Sequence, residues 1–111
     1  MRKSAAFALL ALTLLPVAAA AETWKDAPMV DVMCSAKAKP NPAIHTRACA
    51  LQCAKTGYGI FTPEGDFLKF DAQGNARAVE MLKSLKKDAD IRVTVTGERN
   101  GGTIKVESLA F

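Results

Sequence analysis

Aromatic rings are scarce in this chain: 111 residues carry one tryptophan, one tyrosine and five phenylalanines. Trp24 and Tyr58 are too few to build a stacking platform for single-stranded nucleic acid. Basic charge does not make up for this. The formal net charge is +4, and it falls to +2, 13 basic against 11 acidic side chains, once Arg2 and Lys3 are set aside with the N-terminal segment. Such a balance gives no electrostatic footprint for a nucleic-acid partner. Long apolar runs are missing too. The longest, Ala5 to Leu15, is interrupted by Thr13 and falls well short of the roughly 20 residues that cross a bilayer. No serine stands in a nucleophile-elbow pattern that the single histidine would serve. Histidine and cysteine are rare: His45, Cys34, Cys49 and Cys53 are the only ones, and all four fall between residues 34 and 53.

The short apolar run has its own meaning. Arg2 and Lys3 precede it, Pro16 closes it, and Val17 to Ala21 supplies small residues. A positive start, an apolar middle and a small-residue end form the pattern of a secretory signal peptide. Residues 1–21 are therefore expected to be removed, with cleavage after Ala20 and after Ala21 fitting equally well. The remainder, 22–111, is expected to be a single soluble domain, exported to the periplasm or beyond, with no stable membrane insertion. It is large enough for one small core. Export implies an oxidising compartment in which disulfides persist, and three cysteines leave one over after any single bridge.

Hydropathy patterning outlines the elements. Met29 to Cys34 alternates as a strand, with Asp31 on the face of Met29 and Met33. Ser35 to Pro42 reads as a polar loop. A helix follows, starting either at Asn41-Pro42 or a turn later with Thr46 as cap, and ending near Gly57. Tyr58–Thr62 and Phe67–Asp71 form a hairpin across the turn Pro63–Asp66. Ala72–Asn75 reads as a second turn, with Asn75 capping an amphipathic helix from Ala76 to Asp88 that carries Lys83, Lys86 and Lys87 in its last turns. Two alternating strands, from Ile91 and from Thr103, flank the turn Asn100-Gly101-Gly102.

With the helix between residues 45 and 55 treated as an insertion after the first strand, five strands remain, with one helix between the third and fourth. The expected fold is mainly β with two helices, a small five-stranded OB-like barrel; closure would remove exposed strand edges. The rival is an open α+β sheet with both helices on one face.

The strings Val30-Asp-Val-Met-Cys34, His45-Thr-Arg-Ala-Cys49-Ala-Leu-Gln-Cys53, Gly57-Tyr-Gly-Ile and Thr96-Gly97 resemble those of small exported bacterial proteins with an OB-like barrel and an H-x3-C-x3-C segment. The resemblance spans most of residues 22–111 and implies the barrel and the export, but no activity. Periplasmic copper chaperones also use a small OB barrel. They bind through Met, His and an aromatic residue on strands, a pattern this sequence does not have.

Thiolate and imidazole are the preferred ligands of zinc and, with thiolate dominant, of Cu(I). Cys34, His45, Cys49 and Cys53 are thus candidate ligands for zinc or copper. Cys49 and Cys53 stand one helical turn apart and would face the same side. His45 lies eight residues before Cys53, roughly 12 Å along a straight helix, so it joins them only if the helix starts late. The alternative is a disulfide from Cys34 to Cys49 or Cys53, contributing on the order of 3 kcal/mol and leaving a non-enzymatic module that binds a protein or saccharide partner through its barrel face. A third reading is a thiol-redox role for Cys49 and Cys53.

Overall fold

The computed structural model describes residues 20–111; the expected signal peptide lies almost wholly outside them. β1 (Glu22–Asp31) opens the domain. After it come a single helical turn, α1 (Ser35–Ala38), a 3-10 turn at Pro42–Ile44, a short helix, α2 (Arg47–Gln52), and a second 3-10 turn at Ala54–Thr56. β2 (Tyr58–Phe61) and β3 (Phe67–Phe70) form the hairpin, α3 (Ala72–Ser84) crosses over, and β4 (Arg92–Asn100) and β5 (Thr103–Ala110) finish the chain.

The strands close into a barrel in the order β1-β2-β3-β5-β4. β1 pairs antiparallel with both β2 and β4, β3 pairs parallel with β5, and so every strand has two neighbours. The OB-like barrel expected from the element order is the fold, and the open sheet is not. Ser35–Ala38, expected as loop, is a helical turn, and the expected single inserted helix is divided into three short pieces, the 3-10 turn at Pro42–Ile44, α2 and the 3-10 turn at Ala54–Thr56, because Thr46 restarts the helix: its Oγ accepts from the Cys49 N–H at 3.1 Å.

Inward-facing residues alternate along the strands. Val93 and Val95 on β4 and Ile104 and Val106 on β5 join Met29, Tyr58, Ile60 and Leu68 in one core. β2 is buried on both faces, since Phe61 meets Val30 and Ala38 in a second, smaller cluster outside the barrel. α2 gives Ala50 and α3 gives Ala78 and Leu82 to the main core. The phenol of Tyr58 ties the first of these helices down, donating to the Ala50 carbonyl at 2.7 Å.

Four expectations need correction. β1 does not begin near Met29 and run to Cys34. It begins at Glu22, where pairing with β4 starts, and stops at Asp31, after which Val32–Cys34 turn. Ala72–Asn75 is not a turn but the start of α3. Asp71 caps that helix, its carboxylate accepting from Gly74 N–H at 3.0 Å and Val106 N–H at 3.3 Å. Gly74 is not a turn residue; its missing side chain serves packing, because a Cβ there would collide with Val106. Asn75 caps nothing; its Oδ1 accepts from Tyr58 N–H at 2.8 Å. α3 also ends four residues early, at Ser84. The Asp88 carbonyl accepts from Arg47 N–H at 2.7 Å and Ala89 bridges to Thr46, so the segment after Leu85 is extended to meet α2, and Lys86 and Lys87 lie outside the helix.

The barrel closes tightly where β4 slips register against β5 between Thr96 and Gly97. A Cβ on Gly97 would run into the Lys105 carbonyl and the Ile104 side chain. Gly97→Ala is therefore expected to lower stability by about 2–3 kcal/mol, whereas Gly102→Ala, at a turn position where a Cβ meets nothing, is expected to stay within about 0.5 kcal/mol of the parent. Urea unfolding of the two variants checks this, and equal losses would contradict it.

Candidate metal centre

The site forms where β1 leaves the barrel. Val32 N–H bonds to Gly57 O at 2.9 Å, and the next residues fold over as Ser35 donates through both N–H and Oγ to Val32 O. This turn places Cys34 directly above Asp31, whose Oδ2 accepts from the Cys34 N–H at 3.0 Å. Asp31 shares the inward-facing side of β1 with Met29 and has no exposed surface. A buried carboxylate requires partners. The second one is His45, whose Nε2 lies 2.7 Å from Asp31 Oδ1.

His45 reaches Asp31 because the helix begins late. It caps the 3-10 turn in an extended conformation (ψ 127°), and Thr46 is the N-cap of α2. The later of the two helix starts is the one adopted. It frees the imidazole from the helix face of Cys49 and turns it inward, where its side chain is 9% exposed.

Cys53 is the first residue past α2, with its N–H bonded to Cys49 O at 3.1 Å. Its thiol, that of Cys34 and a carboxylate oxygen of Asp31 lie within 4.8 Å of one another. Of the four residues singled out by type, Cys34 and Cys53 are thus brought together, joined by an aspartate that residue type did not single out. His45 stands behind that aspartate. Cys49 is exposed and lies outside the group of three; with Cys34 and His45 it lines an adjoining cavity of about 220 Å³. All three thiols are free. The sequence did carry a signal for Asp31: it is the one charged residue in Met29-Val-Asp-Val-Met33.

Acidic groups crowd one another here. Burial pushes the Cys34 thiol above its ordinary value, and the Asp31 charge, a hydrogen bond to Asp31, and Cys53 add to the effect. Tyr58, beside Asp31 on the neighbouring strand, is pushed up to about 12 by burial first, then by Asp31 and Cys53. A bound cation reverses this logic, favouring thiolate over thiol. In a tetrahedral zinc site with Zn–S bonds of about 2.3 Å, neighbouring sulfurs stand roughly 3.8 Å apart. The group of three therefore needs to contract by no more than about 1 Å to hold an ion. Two thiolates and a carboxylate suit zinc; two thiolates alone suit Cu(I). His45 holds the ring-to-carboxylate hydrogen bond that orients an acidic ligand.

The chain matches no family model, no curated protein and no solved structure.

His45→Ala leaves the buried Asp31 carboxylate with the Cys34 N–H alone, and is expected to lower the stability of the reduced, metal-free protein by about 3 kcal/mol at neutral pH. Adding Asp31→Asn removes the uncompensated charge and is expected to recover about half of that loss. Denaturant unfolding of the single and double variants decides it; a single substitution costing under about 0.5 kcal/mol would show that the pair is not a structural linkage.

Proposed function

We propose that this chain is an exported metal-binding protein, not an enzyme, that holds one zinc or Cu(I) ion through Cys34, Cys53 and Asp31, with His45 orienting Asp31. The carrying observation is the convergence of three ligand atoms from two separate segments of chain, Asp31 and Cys34 at the end of β1 and Cys53 past α2, within 4.8 Å. The export rests on the pattern of residues 1–21. The exposed Cys49 and the two exposed apolar side chains of the same segment, Met33 and Ile44, support a role in buffering or delivering the ion in preference to a purely structural one. An ion held for exchange needs an accessible thiolate near the primary ligands to receive it, and Cys49 opens on the same cavity as Cys34.

The test is native mass, metal content and thiol titration of the full chain expressed with export to a bacterial periplasm. One ion per chain and three titratable thiols after denaturation with chelator are expected. Cys34→Ser and Cys53→Ser are each expected to abolish stoichiometric binding, and His45→Gln to weaken it by about 10- to 100-fold. Cys49→Ser is expected to leave equilibrium affinity within about threefold while slowing transfer of the ion to a thiol chelator. A chain two hydrogens light, with one free thiol and no metal, would overturn the reading in favour of a disulfide-stapled module that binds a protein or saccharide partner.

A further inference from the structure

A second cleft, of about 510 Å³, opens beside the barrel between β1, the chain around Lys39 and Pro42, and the β2–β3 turn. It shares no lining residue with the cavity beside the thiols, and nothing in the metal reading uses it. Its volume falls in the range that holds a small organic ligand.

The wall of this cleft is built by an irregularity in β1. Pairing with β4 passes from Trp24 opposite Val95 to Ala27 opposite Val93, so Lys25 and Asp26 together oppose Thr94 alone. In a regular strand, consecutive residues serve opposite faces; here all six residues from Thr23 to Pro28 contribute to one cleft. The irregularity is held at a strained position. Asp26 sits at φ 49°, a left-handed conformation that costs a non-glycine residue and persists where its surroundings enforce it. The enforcing contacts are Asp26 N–H to Thr94 Oγ1 at 3.3 Å and Arg92 Nη1 to Asp26 O at 3.3 Å. Strained backbone positions of this kind cluster at ligand clamps and active sites.

The chemistry of the lining selects the ligand. Trp24 and Phe61, with Pro28, Pro42 and Pro63, make an apolar surface. Three cations stand around it, against the single acid Asp26. Arg92 is already engaged by Asp90 at 3.0 Å and Asp26 at 3.8 Å. Lys25 and Lys39 form no ion pair and no side-chain hydrogen bond among the described residues, which leaves two positive charges without a partner beside an aromatic surface. We propose that this cleft binds an amphiphilic organic carboxylate, its apolar body against Trp24 and Phe61 and its carboxylate on Lys25 and Lys39.

Trp24 is the only tryptophan in the chain, so its indole N–H gives one unambiguous nuclear magnetic resonance signal at the cleft. Titration of the reduced, ¹⁵N-labelled protein with 1-naphthoate is expected to shift that signal saturably. The neutral isostere 1-naphthalenemethanol is expected to bind about tenfold more weakly or worse. Lys25→Gln and Lys39→Gln are each expected to weaken naphthoate by about three- to fivefold, and Lys55→Gln, outside the cleft, to leave it unchanged. N-acetyl-Gly-Phe and its C-terminal amide separate the two sources of such a carboxylate. Preference for the free acid at naphthoate-like affinity identifies a peptide chain end, and binding of naphthoate alone identifies a free small acid. No saturable shift, equal binding of the neutral isostere, or parent-like affinity in both lysine variants would overturn the proposal.

Discussion

A carboxylate with no exposed surface closes one end of this barrel, and the functional segment is arranged around it. Asp31 is the last residue of β1; one oxygen binds the imidazole of His45 and the other the N–H of Cys34. Removing a carboxylate from water costs several kcal/mol unless hydrogen bonds and charge answer it. The chain answers with a turn that brings Cys34 back over the strand end and with a late helix start that turns His45 inward. These same two features leave the thiols of Cys34 and Cys53 next to the acid. The geometry of the candidate metal centre is therefore a consequence of satisfying one buried charge.

That dependence explains which parts of the molecule were legible in the sequence. The barrel was, because β4 and β5 alternate cleanly and the hairpin turns carry proline and glycine where turns demand them. Cys34 and Cys53 were legible by residue type. Asp31 was not, because local alternation assigns it a face of a strand but cannot reveal that helices seal the end of the barrel over that face. The pairing of Cys49 with Cys53 was expected from helical spacing. It assumes the helix continues, yet α2 ends at Gln52 and Cys53 caps it with φ −98° and ψ 22°. The start of α3 was misplaced for a similar reason. Gly74 reads as a turn in sequence, and its true role, close packing against Val106 on a strand some thirty residues later, is tertiary.

The two strained non-glycine positions of the described chain, Asp26 at φ 49° and Asp90 at φ 53°, are joined by a single side chain. Arg92 binds the carboxylate of Asp90 and the carbonyl of Asp26. The Asp90 carboxyl is held below its ordinary value by the hydrogen bond from Arg92, and the charges of Arg92 and Lys87 assist. One guanidinium thus fixes the entry to β4 and the irregularity in β1, and the same irregularity shapes the aromatic cleft. The thiol centre and the cleft stand at different places on one barrel, the first where β1 ends and the second where β1 departs from regular strand geometry.

The most direct test of the central claim is X-ray absorption spectroscopy of the protein loaded with one equivalent of zinc. Two sulfur scatterers at about 2.3 Å with oxygen or nitrogen at about 2.0–2.2 Å, unchanged in Cys49→Ser, is the result this account requires. Three sulfurs in the parent, a site that loses a sulfur with Cys49, or a first shell made only of oxygen and nitrogen would contradict it.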